Sequence, residues 1–242
     1  RYRLFAAATA TLSLAAALAL PAVAQDRMPI PPAPDVVPLP PAPPPASNAP
    51  PKLLVIISVD QFSADLFQAY RSTFTGGFAR LMSGKVFANG YQSHAATETC
   101  PGHSTITTGD HPSRTGIIAN DWADLTTPRA DKTVYCAEDE SVAGSSSSAY
   151  TVSDIHLDVP SLGERLKKLA PATRVYSVAG KDRAAVMMGG HNIDELWWWD
   201  GKTYRSFAGK PVPAAVTRVN TAVAAQIAQP GQALTPPAWC AS

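Results

Sequence analysis

Residues 52–60 read KLLVIISVD, and the fold class predicted from the sequence rests on this stretch. Residues 52–59 form a short, nearly continuous apolar run rich in β-branched side chains, which is typical of a parallel strand buried on both faces. Asp60 follows at the carboxyl end of that strand. An isolated Asp in this position is commonly a turn residue or a helix N-cap, and it can also be an oxygen ligand of a divalent metal.

The residues that follow alternate between helical and strand patterns. Helices are predicted over 61–71, over 78–82 after a break at Gly76-Gly77, and over 161–169, where Ser161 and Glu164 form a capping box. Strands are predicted over 86–91 and 174–179. This order predicts an α/β layered fold with a largely parallel sheet, whose functional groups gather at the carboxyl ends of the strands.

The chain before residue 52 has a different composition. Residues 1–24 combine Arg1 and Arg3 with an apolar run and a small-x-small site, which predicts a cleaved signal peptide rather than an uncleaved membrane anchor. Residues 25–51 contain 12 of the 23 prolines, which favours an extended linker, with a Pro-rich partner ligand as the alternative. The protein is therefore expected to be periplasmic or secreted, with no stable membrane association after cleavage.

Charge and cysteine content narrow the function classes. Three of the 20 Lys and Arg and two of the 19 Asp and Glu precede residue 52, so the remainder carries no net charge. Such a balance provides no general field for binding nucleic acid. Cys100, Cys136 and Cys240 allow one disulfide in an exported chain, and the sequence does not decide which pair forms it.

Residues 97–105 (TETCPGHST) are the most unusual passage. Pro101 suits the first turn of a helix, so Thr99 is expected just before that helix, where backbone N–H groups favour negative charge. The Thr99 hydroxyl could cap the helix or act as a nucleophile on phosphorus. His103, four residues later, is interpreted as a packed, hydrogen-bonded residue rather than a catalytic base.

These motifs together resemble the Thr-nucleophile branch of the alkaline phosphatase superfamily, which includes the type I phosphodiesterases and nucleotide pyrophosphatases. The resemblance rests on Asp60 after a strand, Thr99-Cys-Pro-Gly-His103, Thr108-Gly109, His111-Pro112 and GIIANDW at 116–122. Within the branch, Lys181-Asp182-Arg183 resembles the Lys-x-Arg motif of monomeric bacterial alkaline phosphatases of the Sphingomonas type. Without the other motifs, Lys181 and Arg183 would be read as a solvated loop pair.

The resemblance implies a function and roles for five residues. Thr99 is expected to be the nucleophile and a metal ligand, Asp60 a zinc ligand, and Asn120, Lys181 and Arg183 the phosphate-binding groups. The implied enzyme is a zinc-dependent phosphomonoester hydrolase with two zinc ions and a phosphothreonine intermediate, acting on small-molecule phosphate esters. The alternatives are a phosphodiesterase or nucleotide pyrophosphatase, and a non-catalytic envelope binding protein on a degenerate phosphatase fold.

Most of the zinc ligands that the resemblance implies have no counterpart before Ser242. Residues 52–242 are therefore interpreted as the truncated, N-terminal part of an alkaline phosphatase-like catalytic domain, and this fragment is expected to be inactive or nearly so. The complete enzyme is expected to be a monomer.

Overall fold

The computed structural model describes residues 52–87, 90–229 and 231. The predicted signal peptide and linker lie outside these residues and stay predictions. The chain divides into two compact units, of which one contains residues 63–86 and the other contains residues 52–62 and the described residues from 87 onward.

The smaller unit consists of two short helices, α1 (Ala64–Tyr70) and α2 (Gly76–Met82), joined through a 3-10 turn at Arg71–Thr73. Ser63 begins α1, because its side-chain oxygen accepts a hydrogen bond of 3.2 Å from the Leu66 N–H. The two predicted helical segments are therefore present. The break falls before Gly76, which is the first residue of α2 and not part of the interruption.

The larger unit contains short strands interspersed with helices. In chain order its elements are α3 (Thr99–Thr108), α4 (Pro112–Thr115), β1 (Asp121–Ala123), β2 (Thr133–Tyr135), α5 (Leu162–Leu169), β3 (Tyr176–Ala179), α6 (Asp182–Gly189), β4 (Glu195–Trp199), β5 (Tyr204–Arg205) and α7 (Ala214–Ile227). The predicted capping box at Ser161 and Glu164 is confirmed at the start of α5. The strand predicted over 174–179 corresponds to β3.

The β3–α6–β4 segment is the framework of the larger unit. β3 and β4 pair in parallel, with Ser177 opposite Leu196, while β5 adds to β4 in an antiparallel pair. A separate antiparallel pair joins β1 to β2. Helix α6 packs against β3, β4 and α3, and the Thr107 hydroxyl of α3 donates to the Met187 carbonyl of α6 over 2.9 Å. The two helices are thereby fixed to one sheet.

The hydrophobic core lies between this sheet, α3 and the β1–β2 pair. Its fully buried side chains come from each of these parts of the unit and include Cys100, Ile117, Cys136, Val186 and Leu196. Burial of aliphatic side chains of this size stabilises a fold by about 1.5–3 kcal/mol each. This core supports the loops that carry the site residues.

Two strand predictions are wrong for the described chain. Residues 53–59 belong to no strand, and their apolar side chains are exposed, with Leu53 at 77% and Ile57 at 65%. The described residues of 86–91 also form no strand. The physical reason is that a strand needs a hydrogen-bonding neighbour, and the described residues offer these two segments none.

Candidate active site

Thr99 is the first residue of α3, and its hydroxyl meets the Asp60 carboxylate. Glu98 is the N-cap, and Pro101 occupies the first turn, where its missing N–H removes no helical hydrogen bond. Thr99 therefore lies one position further into the helix than predicted. Its side chain is only 8% exposed, and Oγ donates to Oδ2 of Asp60 over 3.1 Å. The two residues, 39 positions apart in sequence, are brought together.

His103 contacts the backbone of the Thr99 residue rather than its hydroxyl. The ring is 7% exposed, and Nδ1 lies 2.7 Å from the Thr99 carbonyl oxygen. Because a carbonyl only accepts hydrogen bonds, Nδ1 is the donor. The predicted packed and hydrogen-bonded role of His103 is confirmed, and the bond fixes the first turn of α3.

Three hydrogen bonds hold Asn120, two with the start of α3 and one with the residue after β2. Its side-chain Oδ1 accepts from the Cys100 N–H over 2.8 Å, its own N–H donates to Glu98 Oε2 over 2.7 Å, and its carbonyl accepts from the Cys136 N–H over 2.9 Å. The oxygen of the amide therefore faces the helix, which leaves the NH2 group turned away from it. Asn120 thus presents a donor beside the nucleophile helix.

A disulfide between Cys100 and Cys136 reinforces this arrangement. Both cysteines are fully buried. The bond joins the second residue of α3 to the residue after β2. The backbone N–H groups of the same two cysteines donate hydrogen bonds to Asn120, so the disulfide and Asn120 link the same two segments. The pairing that the sequence left open is thereby decided, and Cys240 lies outside the described residues.

Lys181 and Arg183 lie at the turn from β3 into α6. Lys181 is exposed and is the N-cap residue, while the Arg183 Cζ lies 6.0 Å from the centroid of the Tyr135 ring. Tyr135 is in turn the cross-strand partner of Asp121, the residue after Asn120. Arg183 is thereby brought to the same end of the β1–β2 pair as Asn120.

Neither cation has an acidic partner in the described part of the chain. No hydrogen bond or ion pair is formed by the Lys181 ammonium or the Arg183 guanidinium among these residues, and the buried Nε of Arg183 has no acceptor. Both residues line a cavity of about 570 Å³. Its wall also includes Tyr135, Tyr150, Asp182, Trp198, Trp199 and Arg205. Unpaired cations beside an open cavity are suited to binding an anion.

Asp182, between the two cations, is held by tyrosines. It is 9% exposed, and its two carboxylate oxygens accept hydrogen bonds of 2.7 Å from the hydroxyls of Tyr135 and Tyr150. The Arg183 backbone N–H also donates to Oδ1 over 2.7 Å. Sequence reasoning missed both tyrosines, because nothing in their local sequence links them to a residue 47 and 32 positions away.

Charged groups of both signs lie near Asn120 and affect the pKa of its neighbour Asp121. Burial raises the pKa of Asp121 above its usual range, with Arg183 acting in the opposite direction and Glu98 and Glu138 adding to the increase. Glu98 was also missed by sequence reasoning, although it directly precedes Thr99. Its carboxylate lies at the backbone of Asn120, so it positions that residue.

The described residues match only part of a metal site. Asp60 and Thr99 supply two oxygen atoms within hydrogen-bonding distance of each other, and hard oxygen ligands of this kind can bind zinc. No group of three or more His, Cys, Asp and Glu side chains that could hold a metal ion occurs within residues 52–87, 90–229 and 231. The pair therefore fits as two ligands of a larger set.

The chain has an alkaline phosphatase-like α/β fold. Its larger unit places a candidate hydroxyl nucleophile at a helix start and two cations without acidic partners, among the described residues, at a neighbouring turn. The crystal structure of wild-type alkaline phosphatase PafA matches this chain with a TM-score of 0.60 and 30% identity, over 73% of this chain and 36% of that one. The predicted fold class is confirmed by this likeness.

The model of the type I phosphodiesterase / nucleotide pyrophosphatase family matches residues 54–236, and the chain belongs to that family. Alkaline phosphatase PhoK of Sphingomonas sp. is 62% identical over 195 residues, covering 80% of this chain and 35% of that protein. Alkaline phosphatase PhoD of Zymomonas mobilis is 51% identical over 192 residues, covering 78% of this chain and 33% of that protein. The resemblance drawn from the motifs is confirmed.

The chain thus spans about a third of the length of the curated relatives it matches. None of the helices in its described part is long and apolar enough to cross a membrane.

Proposed function

We propose that this chain is the nucleophile-bearing part of a zinc-dependent phosphomonoesterase, an alkaline phosphatase that works through a phosphothreonine intermediate. The observation that carries the proposal is the 3.1 Å hydrogen bond from Thr99 Oγ to Asp60, at a helix start that also holds Asn120. Similarity to alkaline phosphatases at 62% and 51% identity supports the same class of substrate, small-molecule phosphate esters.

In the proposed reaction the Thr99 oxygen forms a bond to phosphorus and the bond from phosphorus to the ester oxygen breaks. The alcohol leaves with one proton, and the Thr99 hydroxyl loses one. Water then attacks phosphorus, restores the hydroxyl and releases inorganic phosphate. The hydrogen bond from Oγ to Asp60 holds the Thr99 hydroxyl beside that carboxylate. Two zinc ions, one of them bound by Asp60 and Thr99, would stabilise negative charge on the reacting oxygens.

Asn120, Lys181 and Arg183 bind the phosphate oxygens in this proposal. The Asn120 NH2 group is a neutral donor, the Lys181 ammonium is a compact charge, and the Arg183 guanidinium can contact two oxygens at once. A monoester carries more terminal negative charge than a diester, so the two cations favour monoesters. A second PafA structure carries substitutions at a Thr, an Asn, a Lys and an Arg in the same order along its chain, which supports a shared set of groups.

The family match also supports a second candidate, a phosphodiesterase or nucleotide pyrophosphatase. Such an enzyme would share Asp60, Thr99 and Asn120 and would depend less on Lys181 and Arg183. We favour the phosphomonoesterase over the phosphodiesterase because both cations lack acidic partners among the described residues and line one cavity.

We further propose that the full-length enzyme is an exported monomer in which residues 1–24 act as a signal peptide. The 242-residue chain alone would bind zinc poorly and would have little activity, because its described residues supply only two oxygen ligands.

The test uses the full-length enzyme and compares Thr99→Ala with Thr99→Ser. Removing the nucleophile should lower kcat for an aryl phosphate monoester by about 1,000-fold or more, while the Ser variant keeps a hydroxyl and part of the activity. Full kcat in Thr99→Ala would disprove the phosphothreonine mechanism.

The substrate class is tested with Lys181→Ala/Arg183→Ala. The pair should lower kcat/KM for an aryl monoester by about 100-fold or more, and by much less for the matching aryl diester. Equal losses on both substrates would favour the phosphodiesterase.

A further inference from the structure

The carboxylate of Asp182 lies between two cations and pairs with neither side chain. Lys181 precedes it and Arg183 follows it in sequence, yet the hydrogen bonds to Asp182 come from two tyrosine hydroxyls and one backbone N–H. Arg–carboxylate pairs are frequently bidentate, although Asp182 and Arg183 are successive residues of α6, and successive helical side chains do not face each other. The tyrosine hydroxyls add to this separation, because they occupy the carboxylate that the long Arg183 side chain could otherwise reach.

The two tyrosine hydroxyls bind both oxygens of the Asp182 carboxylate. Tyr135 donates to Oδ1 and Tyr150 donates to Oδ2, each over 2.7 Å, so one hydroxyl is bound to each oxygen. The rings lie against each other, with centroids 4.6 Å apart. Arg183 lies by the ring of Tyr135 instead, and its buried Nε finds no acceptor in the part of the chain that the structure describes.

We propose that Tyr135 and Tyr150 are positioning residues that occupy the Asp182 carboxylate and so keep the Arg183 guanidinium free to bind phosphate. The inference rests on the proposed phosphate-binding role of Arg183. Without the two hydroxyls, the Asp182 carboxylate would have free lone pairs beside Arg183, and the resulting ion pair would compete with the phosphate dianion for the same donors.

The hydroxyls are suited to this role because they stay protonated. Burial, followed by the hydrogen bond to Asp182, raises the pKa of Tyr150 to about 12, and burial and Asp182 raise the pKa of Tyr135 further. Both side chains therefore remain hydrogen-bond donors. Asp121, whose pKa the Arg183 charge lowers, forms no ion pair with it in the described part of the chain.

The experiment measures competitive inhibition by inorganic phosphate in the full-length enzyme. Tyr135→Phe/Tyr150→Phe should raise the inhibition constant of phosphate by about 10- to 100-fold, with KM for a monoester rising more than kcat falls. Tyr204→Phe is the matched control, since the Tyr204 hydroxyl makes no hydrogen bond among the described residues and the ring packs on Trp199. It should leave the inhibition constant unchanged.

Rescue separates positioning from a general loss of structure. Adding Asp182→Asn to the double variant removes the charge that would capture Arg183, so the inhibition constant should return to within about threefold of the wild type. A purely structural role for the tyrosines predicts no rescue, since a third substitution in a damaged site adds to the damage.

The outcomes for the wild type and for the tyrosine variants test the proposed function and the inference separately. A wild-type enzyme that phosphate does not inhibit would overturn the proposed function, and this inference with it. If phosphate inhibits the wild type, two results would overturn the inference alone. One is an unchanged inhibition constant in the folded double variant, and the other is the absence of rescue by Asp182→Asn. If the double variant does not fold, each single Tyr→Phe variant should still give a partial increase that Asp182→Asn reverses, and no increase in either would overturn the inference.

Discussion

Two apolar runs in this chain each lead into a proposed site residue, and they have opposite structural outcomes. Residues 53–59 precede Asp60 and pair with no strand among the described residues, with Leu54 at 55% exposure. Strand β3 precedes Lys181, pairs with β4 and packs against α6. Although Tyr176 and Val178 on one face of β3 are exposed, its other face is covered.

An apolar, β-branched run therefore specifies a strand only where neighbours exist to pair with it. The turn carrying Lys181 and Arg183 is built by a sheet, a helix and buried hydrogen bonds within the described residues. Asp60 is tied to the site chiefly by its hydrogen bond to Thr99. The proposed phosphate-binding part of the site is therefore organised locally, whereas the proposed metal-binding part is not.

The largest expected effect comes from matched Leu→Ala substitutions in the two runs. Leu196→Ala in β4 removes a fully buried side chain and should lower the free energy of unfolding by about 2–5 kcal/mol. Leu54→Ala in the exposed run should change it by no more than about 0.5 kcal/mol. Denaturant unfolding of the 242-residue chain measures both, and an equal cost at the two positions would contradict the comparison.

Breaking the disulfide should have the next largest effect. The Cys100–Cys136 bond closes a loop with a sequence separation of 36, and Cys100→Ser/Cys136→Ser should cost about 2–4 kcal/mol of unfolding free energy. Cys240→Ser is the control, because Cys240 is not part of this bond. A double variant as stable as the control would show that the hydrogen bonds of Asn120 hold the α3 start unaided.

The smallest effect concerns stability at alkaline pH. The folded-state pKa of Tyr150, about 12, lies above its ordinary value of about 10, so the folded state binds the proton more tightly than the unfolded state. The resulting stabilisation is fully present below pH 10 and is lost as pH rises toward 12. Tyr150→Phe should lower stability at pH 8 but show a shallower decline above pH 10. An identical decline in both proteins, measured by urea unfolding at several pH values, would contradict this.

Local signals in the sequence predicted much of what the structure contains. The capping box at Ser161, the strand before Lys181 and the packed role of His103 all depend on residues close in sequence. The family resemblance of the motifs also predicted that Asp60 and Thr99 belong to one site, and their side chains do meet. The roles of the five site residues stay predictions.

Features that depend on distant partners could not be predicted. The strand at 53–59 fails because pairing is a property of neighbours rather than of the run itself. The hydrogen bonds of Tyr135 and Tyr150 to Asp182, and the choice of Cys136 as the partner of Cys100, arise only when separate segments pack together. Helix and turn signals carry no information on such pairings.

The fixed orientation of the Asn120 amide has a consequence for the chemical ageing of the protein. Deamidation to Asp would keep the size of the side chain and the oxygen that accepts from the Cys100 N–H. The atom that faces away from the helix would change from a donor into a negatively charged acceptor. Aged molecules would therefore keep their fold and disulfide but repel the anion that fresh molecules are proposed to bind.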